Sequence, residues 1–163
     1  MNVEERLLAL EARVRKAEDH LEIVNLLMSY GPLVDSKTSE PAADLWVEGG
    51  GYNFTVPTGE PARLEAPEGL VGMYEGEPHW WLVSTGCSHF TATPKVTING
   101  DSATAVGYSF VVLREDDRWF IWRAAINHWT LTRTDKGWRI VERFNRPLNG
   151  STESHDTMRK VLA

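Results

Sequence analysis

Residues 118–147 read RWFIWRAAINHWTLTRTDKGWRIVERFNRP, and their reading decides the fold. Period-two patterning predicts a long strand over Arg118 to Thr132 and another over Trp138 to Pro147, with Asp135-Lys136-Gly137 as the turn between them. Upstream, Glu115-Asp116-Asp117 is a second turn, and Ser102 to Arg114 pairs through the hairpin turn Asn99-Gly100-Asp101 with a strand over His89 to Ile98. These four strands form a meander.

Before residue 88 the period is helical. Asn2 with Glu5 three positions later makes a capping-box signal, and one helix is expected to run to the Gly31-Pro32 stop. Within it Leu7, Leu10, Val14, Ala17, Leu21, Val24 and Met28 alternate steps of three and four, a heptad seam. Over residues 20–30 that stripe is expected to lie on the chain's own sheet. Residues 1–18 form an extension too long for one small domain to cover, so a neighbouring subunit is expected to share it. A short helix is predicted from a Ser39 cap through Val47, ended by Gly49-Gly50-Gly51, then a strand over Tyr52 to Val56. Residues 57–67 read as loop, 68–74 as a helical turn or two, and 150–163 as a polar tail. Helices before a curled antiparallel or mixed sheet make an α+β fold, a cone-shaped roll around a long N-terminal helix, in a single domain over residues 1–149.

Composition narrows the function. The chain has 163 residues, one Cys and a formal charge of −6, from 17 Lys+Arg against 23 Asp+Glu. One cysteine leaves no disulfide framework or multi-cysteine zinc site, and net acidity argues against a nucleic-acid partner. Without a signal-like start or an apolar run of about 20 residues, a cytoplasmic protein with no membrane partner is expected. Phosphate-binding glycine loops, nucleophile elbows and His-x-x-x-His pairs are missing from the sequence.

The informative side chains are polar ones in apolar company. Asp35 comes just after Tyr30 and Leu33-Val34; His89 opens the sheet beside Phe90; His128 stands between Asn127 and Trp129. A carboxylate that accepts an imidazole N–H fixes the tautomer and leaves the other ring nitrogen as a base. Cys87, two residues before His89, shares its strand face and is a less favoured partner.

Four stretches together resemble the SnoaL-like branch of the nuclear-transport-factor-2-like superfamily, over about residues 8–147: the helix with Tyr30-x-x-x-x-Asp35, Ala43-Asp44-Leu45-Trp46, the His89-Phe90 strand start, and Thr132 to Ile140 with its Asp-x-Gly-Trp hairpin. The resemblance implies a pocket between helices and curved sheet. In the subgroup similar to scytalone dehydratase and hexachlorocyclohexane dehydrochlorinase, it implies an Asp that orients a proton-abstracting His without metal or organic cofactor. Asp35 and His89 fall on those positions. Where dehydrochlorinases of this type carry a Lys, Tyr30 stands here, and a phenol suits a hydroxyl or carbonyl oxygen. An Arg of the last strand corresponds to Arg143 or Arg146, with Arg146 preferred, and either Asn127 or His128 faces the pocket. Trp46, Tyr52, Phe54, Phe110 and Trp129 are candidate walls.

The function expected is a cofactor-independent lyase or isomerase acting on a small hydrophobic, ring-containing or polyketide-like substrate, with Asp35, His89 and Tyr30 catalytic. The assembly expected is a homo-oligomer, dimer or trimer. The alternative is a non-catalytic ligand-binding or assembly subunit, similar to the small subunit of Rieske dioxygenases. Epoxide hydrolysis would need a second carboxylate and an Arg, nominally Asp44 and Arg123.

Overall fold

The computed structural model describes residues 2–56 and 58–162. Helix α1, Val3–Asp35, opens on the Asn2/Glu5 capping box in both directions, Asn2 Oδ1 accepting from the Glu5 N–H and Glu5 accepting from that of Asn2. Helix α2, Ser39–Ala43, leads into strand β1, Trp46–Thr55, which forms a hairpin with β2, Pro61–Glu65. Helices α3, Glu68–Glu75, and α4, Glu77–Thr85, follow. Then come β3, Cys87–Thr91, β4, Lys95–Asn99, β5, Ser102–Glu115, β6, Arg118–Thr134, β7, Gly137–Pro147, and helix α5, Thr152–Leu162.

One seven-stranded sheet has the order β2-β1-β7-β6-β5-β3, with β4 also on β5. It is mixed, because β1 runs parallel to β7 and every other pairing is antiparallel. The sheet curls around α1, α2 and α3, whose Ile23, Leu27, Tyr30, Val34, Ala42 and Leu70 bury against Ala103, Ala105, Leu131, Trp138 and Ile140. Burial of this apolar surface is the main favourable term, at about 25 cal/mol per Å².

The β6–β7 hairpin fixes where α1 enters the domain. Gly137 turns the chain with φ 89, a conformation that side chains rarely adopt. The fully buried Trp138 then donates its indole N–H to Asp19 and its backbone N–H to Glu22. Asp19, itself buried, also accepts from Arg133 Nη2 at 2.6 Å. All described residues of α1 before it are exposed.

Several expectations need correction. Over residues 20–30 the heptad stripe does not face the sheet: Leu21 and Met28 are 60% and 43% exposed, while the buried face of α1 is Asp19, Ile23, Leu27, Tyr30, Gly31 and Val34. Helix α1 continues through Pro32 to Asp35, because the lost backbone donor of one proline is outweighed by the packing of Val34 and the partners of Asp35. The short helix ends at Ala43, and Trp46 and Val47 already belong to β1, whose Gly49-Gly50-Gly51 run lies inside the strand beside a register shift. Residues 61–65, expected as loop, pair as β2 (Pro57, at the start of that stretch, lies outside the described residues). The strand expected over His89 to Ile98 breaks at Ala92 to Pro94, and its halves, β3 and β4, pair with the two halves of β5. Most of the expected polar tail is helix α5, whose Glu153 pairs with Arg146 of β7.

Candidate active site

A cavity of about 570 Å³ lies between α3, α4 and the concave face of the sheet. Its polar corner exists because α1 and β3 touch backbone to backbone. A Cβ on Gly31 would stand 1.9 Å from the carbonyl oxygen of His89, so only glycine permits the contact. One turn later α1 ends on Asp35, and the close approach delivers that carboxylate to the start of β3.

Asp35 Oδ1 accepts from His89 Nδ1 at 2.6 Å and from the Cys87 thiol at 3.4 Å, and Oδ2 accepts the His89 backbone N–H at 2.8 Å. Burial opposes ionisation of Asp35, but the hydrogen bonds and charge of His89 outweigh it and hold the carboxyl below its ordinary range. An ionised carboxylate only accepts, so Nδ1 carries the proton and Nε2 of the neutral ring keeps its lone pair. His89 itself lines the cavity and Asp35 stands behind it. Burial, then the negative charge of Asp35, pushes the Cys87 thiol up to about 12, which leaves it a hydrogen-bond donor rather than a thiolate. Asp35, Cys87 and His89 place ligand atoms within 4.8 Å of one another, the group of this kind among the described residues that could take a metal ion, although their atoms already hydrogen-bond to each other.

The strand register aims Arg143, not Arg146, inward. Trp129 pairs with Arg143 and Asn127 with Asn145, so these four share the concave face. Arg143 is 4% exposed and lies over the rings of Tyr30 at 4.5 Å and Tyr52 at 4.6 Å, its Nε donating to Asn127 Oδ1 at 3.0 Å. No aspartate or glutamate lines the cavity among the described residues, whereas Arg143 and Arg123 both do. Arg146 points to the opposite face, onto Glu153 and Asn53 Oδ1. His128 is also on that face, stacked on Phe144.

Of the other expected residues, Tyr30, Tyr52, Phe54 and Phe110 line the cavity. The Tyr30 hydroxyl is pushed up to about 12, chiefly by burial against the opposing charge of Arg143, so it is a neutral donor. Trp46 and Trp129 do not reach the space but pack beneath it, 4% and 2% exposed, and Asn127 lies one layer down, donating to Ser109 Oγ and accepting from Asn145. The hollow is therefore open rather than filled by indoles. Trp122, the extra residue of a bulge opposite Val111 and Val112, is the one Trp among the described lining residues. Asp44 is exposed and pairs with Arg139 outside the cavity, which removes the carboxylate that epoxide hydrolysis required.

Sequence reading missed His79. It lines the cavity from α4, with its ring centroid 5.4 Å from that of His89. Its Nδ1 donates to the Tyr74 carbonyl at 2.8 Å, so Nε2 is an acceptor, buried and without a partner among the described residues. Burial, then the neighbouring His89, lowers its pKa and keeps the ring neutral. The signal that could have found it, the Gly76/Pro78 helix start placing a His on an otherwise apolar turn, is masked by the surrounding Trp80 and Trp81.

The fold and this pocket define a class, the α+β cones with a ligand cavity between helices and curved sheet. The SnoaL-like domain profile matches residues 15–144, and the chain belongs to that family. The crystal structure of an NTF2-like protein with a cystatin-like fold from Novosphingobium aromaticivorans is 37% identical, with 92% of this chain and 95% of that one covered and a TM-score of 0.87. A Mycobacterium tuberculosis protein of unknown function (21% identity, 95% and 80% covered, TM-score 0.65) and ActVI-ORFA of Streptomyces coelicolor (16% identity, 78% and 96% covered, TM-score 0.66) share the fold. No curated protein matches the chain. No described helix is long and apolar enough to cross a membrane.

Proposed function

We propose that the protein is a cofactor-independent lyase or isomerase, acting on a small hydrophobic, ring-containing or polyketide-like substrate. The observation that carries this reading is the pairing across one cavity of a tautomer-fixed His89 with a buried Arg143 that has no carboxylate partner in the described lining. A buried cation with ring faces and an amide but no carboxylate beside it is costly, and a developing oxyanion repays that cost. His89 Nε2 removes a proton next to a carbonyl, Asp35 steadies the imidazolium, and Arg143 with the neutral Tyr30 hydroxyl holds the enolate oxygen. The electron pair then expels a β-substituent, as in dehydration or dehydrohalogenation, or is reprotonated at a new carbon. General-base help of this kind is worth about 10²- to 10⁴-fold. The homo-oligomer, dimer or trimer, is the functional unit.

The test is α-proton exchange into D₂O across a panel of cyclic ketones and β-hydroxyketones, followed by NMR. Wild type should exchange or eliminate on at least one, with the His89→Ala rate lower by about 10² or more. Exchange undiminished in His89→Ala overturns the assignment. A second reading, a non-catalytic binding or assembly subunit, draws on the exposed run Trp119, Phe120, Ile121 and Trp122; co-purification of an obligate second chain would favour it.

A further inference from the structure

We infer that Arg123 is the seat of a carboxylate carried by the ligand. The inference deepens the proposed reading, and rests on it only in placing the substrate in this cavity. Arg123 lines the cavity at the β5–β6 bulge, half-buried, and its hydrogen bonds all leave from one nitrogen: Nη2 donates to the Thr55 carbonyl at 3.2 Å and to Asn145 Oδ1 at 3.0 Å. Those two bonds fix the plane of the guanidinium and leave the rest of its fork for a planar two-oxygen partner. Arg143 has a different task in that reading, the reacting oxygen, and its Nε is already spent on Asn127. With no acidic side chain in the described lining, the chamber is a cationic hollow inside a chain of net charge −6, and it selects an anionic apolar guest.

Equilibrium binding tests this without turnover, with benzoate and its neutral isostere benzamide as probes, titrated calorimetrically at pH 7.5. Benzoate should bind at least about tenfold more tightly than benzamide, and Arg123→Gln should erase the difference with the melting temperature held. Equal affinities, a preference that survives Arg123→Gln, or no benzoate binding would each overturn the inference, whatever the outcome for His89→Ala.

A separate observation carries a second proposal: the exposed stripe of α1 is the seam of a parallel two-stranded coiled coil with a second copy of this chain. Val3, Leu10, Ala17 and Val24 alternate with Leu7, Val14 and Leu21 along the unpartnered face, and the flanking charges choose the orientation. One flank carries Glu4, Glu11 and Glu18, the other Arg6 and Arg13, all exposed. In a parallel pair each Arg faces the Glu five residues on in the partner, Arg6 to Glu11 and Arg13 to Glu18; an antiparallel pair would set Arg on Arg and Glu on Glu. The stretch from Val3 to Glu18 is about 24 Å of exposed helix, at 1.5 Å per residue.

Sedimentation velocity should give a species of twice the chain mass. Arg6→Glu with Arg13→Glu, and separately Glu11→Arg with Glu18→Arg, should each give monomer, and mixing the two variants should restore the dimer. Leu10→Cys should crosslink on oxidation, which requires the parallel register. A monomeric wild type sinks the oligomeric reading itself; an oligomer indifferent to both charge reversals, or no Leu10→Cys crosslink, sinks this seam alone.

Discussion

At His89 three bonds converge on one carboxylate: the ring N–H, the residue's own backbone N–H and the Cys87 thiol all end on Asp35. Replacing Asp35 by Asn keeps the shape but offers an amide in place of an anion, so kcat should fall by about 10²-fold or more while KM moves little. A KM change without loss of kcat would make Asp35 a binding residue instead. The thiol gives an independent check. A group pushed up to about 12 is almost wholly protonated at pH 7.5, so iodoacetamide should label native Cys87 far more slowly than the unfolded chain. Equal labelling rates would contradict the donor role. Asp35 and His89 stand out in the sequence as polar residues in apolar company, but 54 positions separate them, and their pairing and the place of Tyr30 come only through the family resemblance. Arg143 cannot be picked out, since two arginines an odd step apart can be ranked only once the strand's face is known.

At the scale of the element, the last turn of α1 and strand β3 act as one unit through Gly31. Gly31→Ala forces a methyl into the His89 carbonyl and should cost about 1–3 kcal/mol of stability, with activity falling further as Asp35 withdraws. A variant of unchanged melting temperature and activity would show that the contact does not set the site. The meander from β5 to β7 is readable because alternation over long strands is unambiguous, and the turns at Gly100 and Gly137 fall where the sequence puts them. Helix α4 and strand β2 escape notice because each is short: α4 has no side-chain cap, and the alternation of β2 spans only five residues in a stretch rich in Pro, Gly and Glu. The heptad of α1 is legible as a pattern, but its partner over residues 20–30 is not the sheet, because periodicity names a stripe without saying what covers it.

Across the whole molecule, acid should be the weak side. Burial lowers the pKa of both His79 and His128, helped by His89 in the first case and Lys160 in the second. Both rings are neutral when folded, while the unfolded chain takes up protons near the ordinary imidazole value of about 6.5. Stability is thus full above that value and is lost as pH falls below it toward the folded pKa values. Asp35, held below its ordinary range, adds a loss only at still lower pH, as the solution falls below about 4. The melting temperature should therefore be flat from about pH 8 to 7 and drop between about pH 6.5 and 5. A His79→Gln, His128→Gln double variant should lose much of that drop, and a melting temperature that rises on acidification would refute the sign.

The proposed chemistry stands on the state of one imidazole facing one cavity. Long-range ¹H–¹⁵N NMR of the ¹⁵N-histidine-labelled protein reads that state directly. The neutral His89 ring should show its proton on Nδ1, shifted downfield by the Asp35 hydrogen bond, with an unprotonated Nε2, and Asp35→Asn should abolish the downfield signal. A proton on Nε2, or a ring averaging between tautomers with no bond to Asp35, would contradict it.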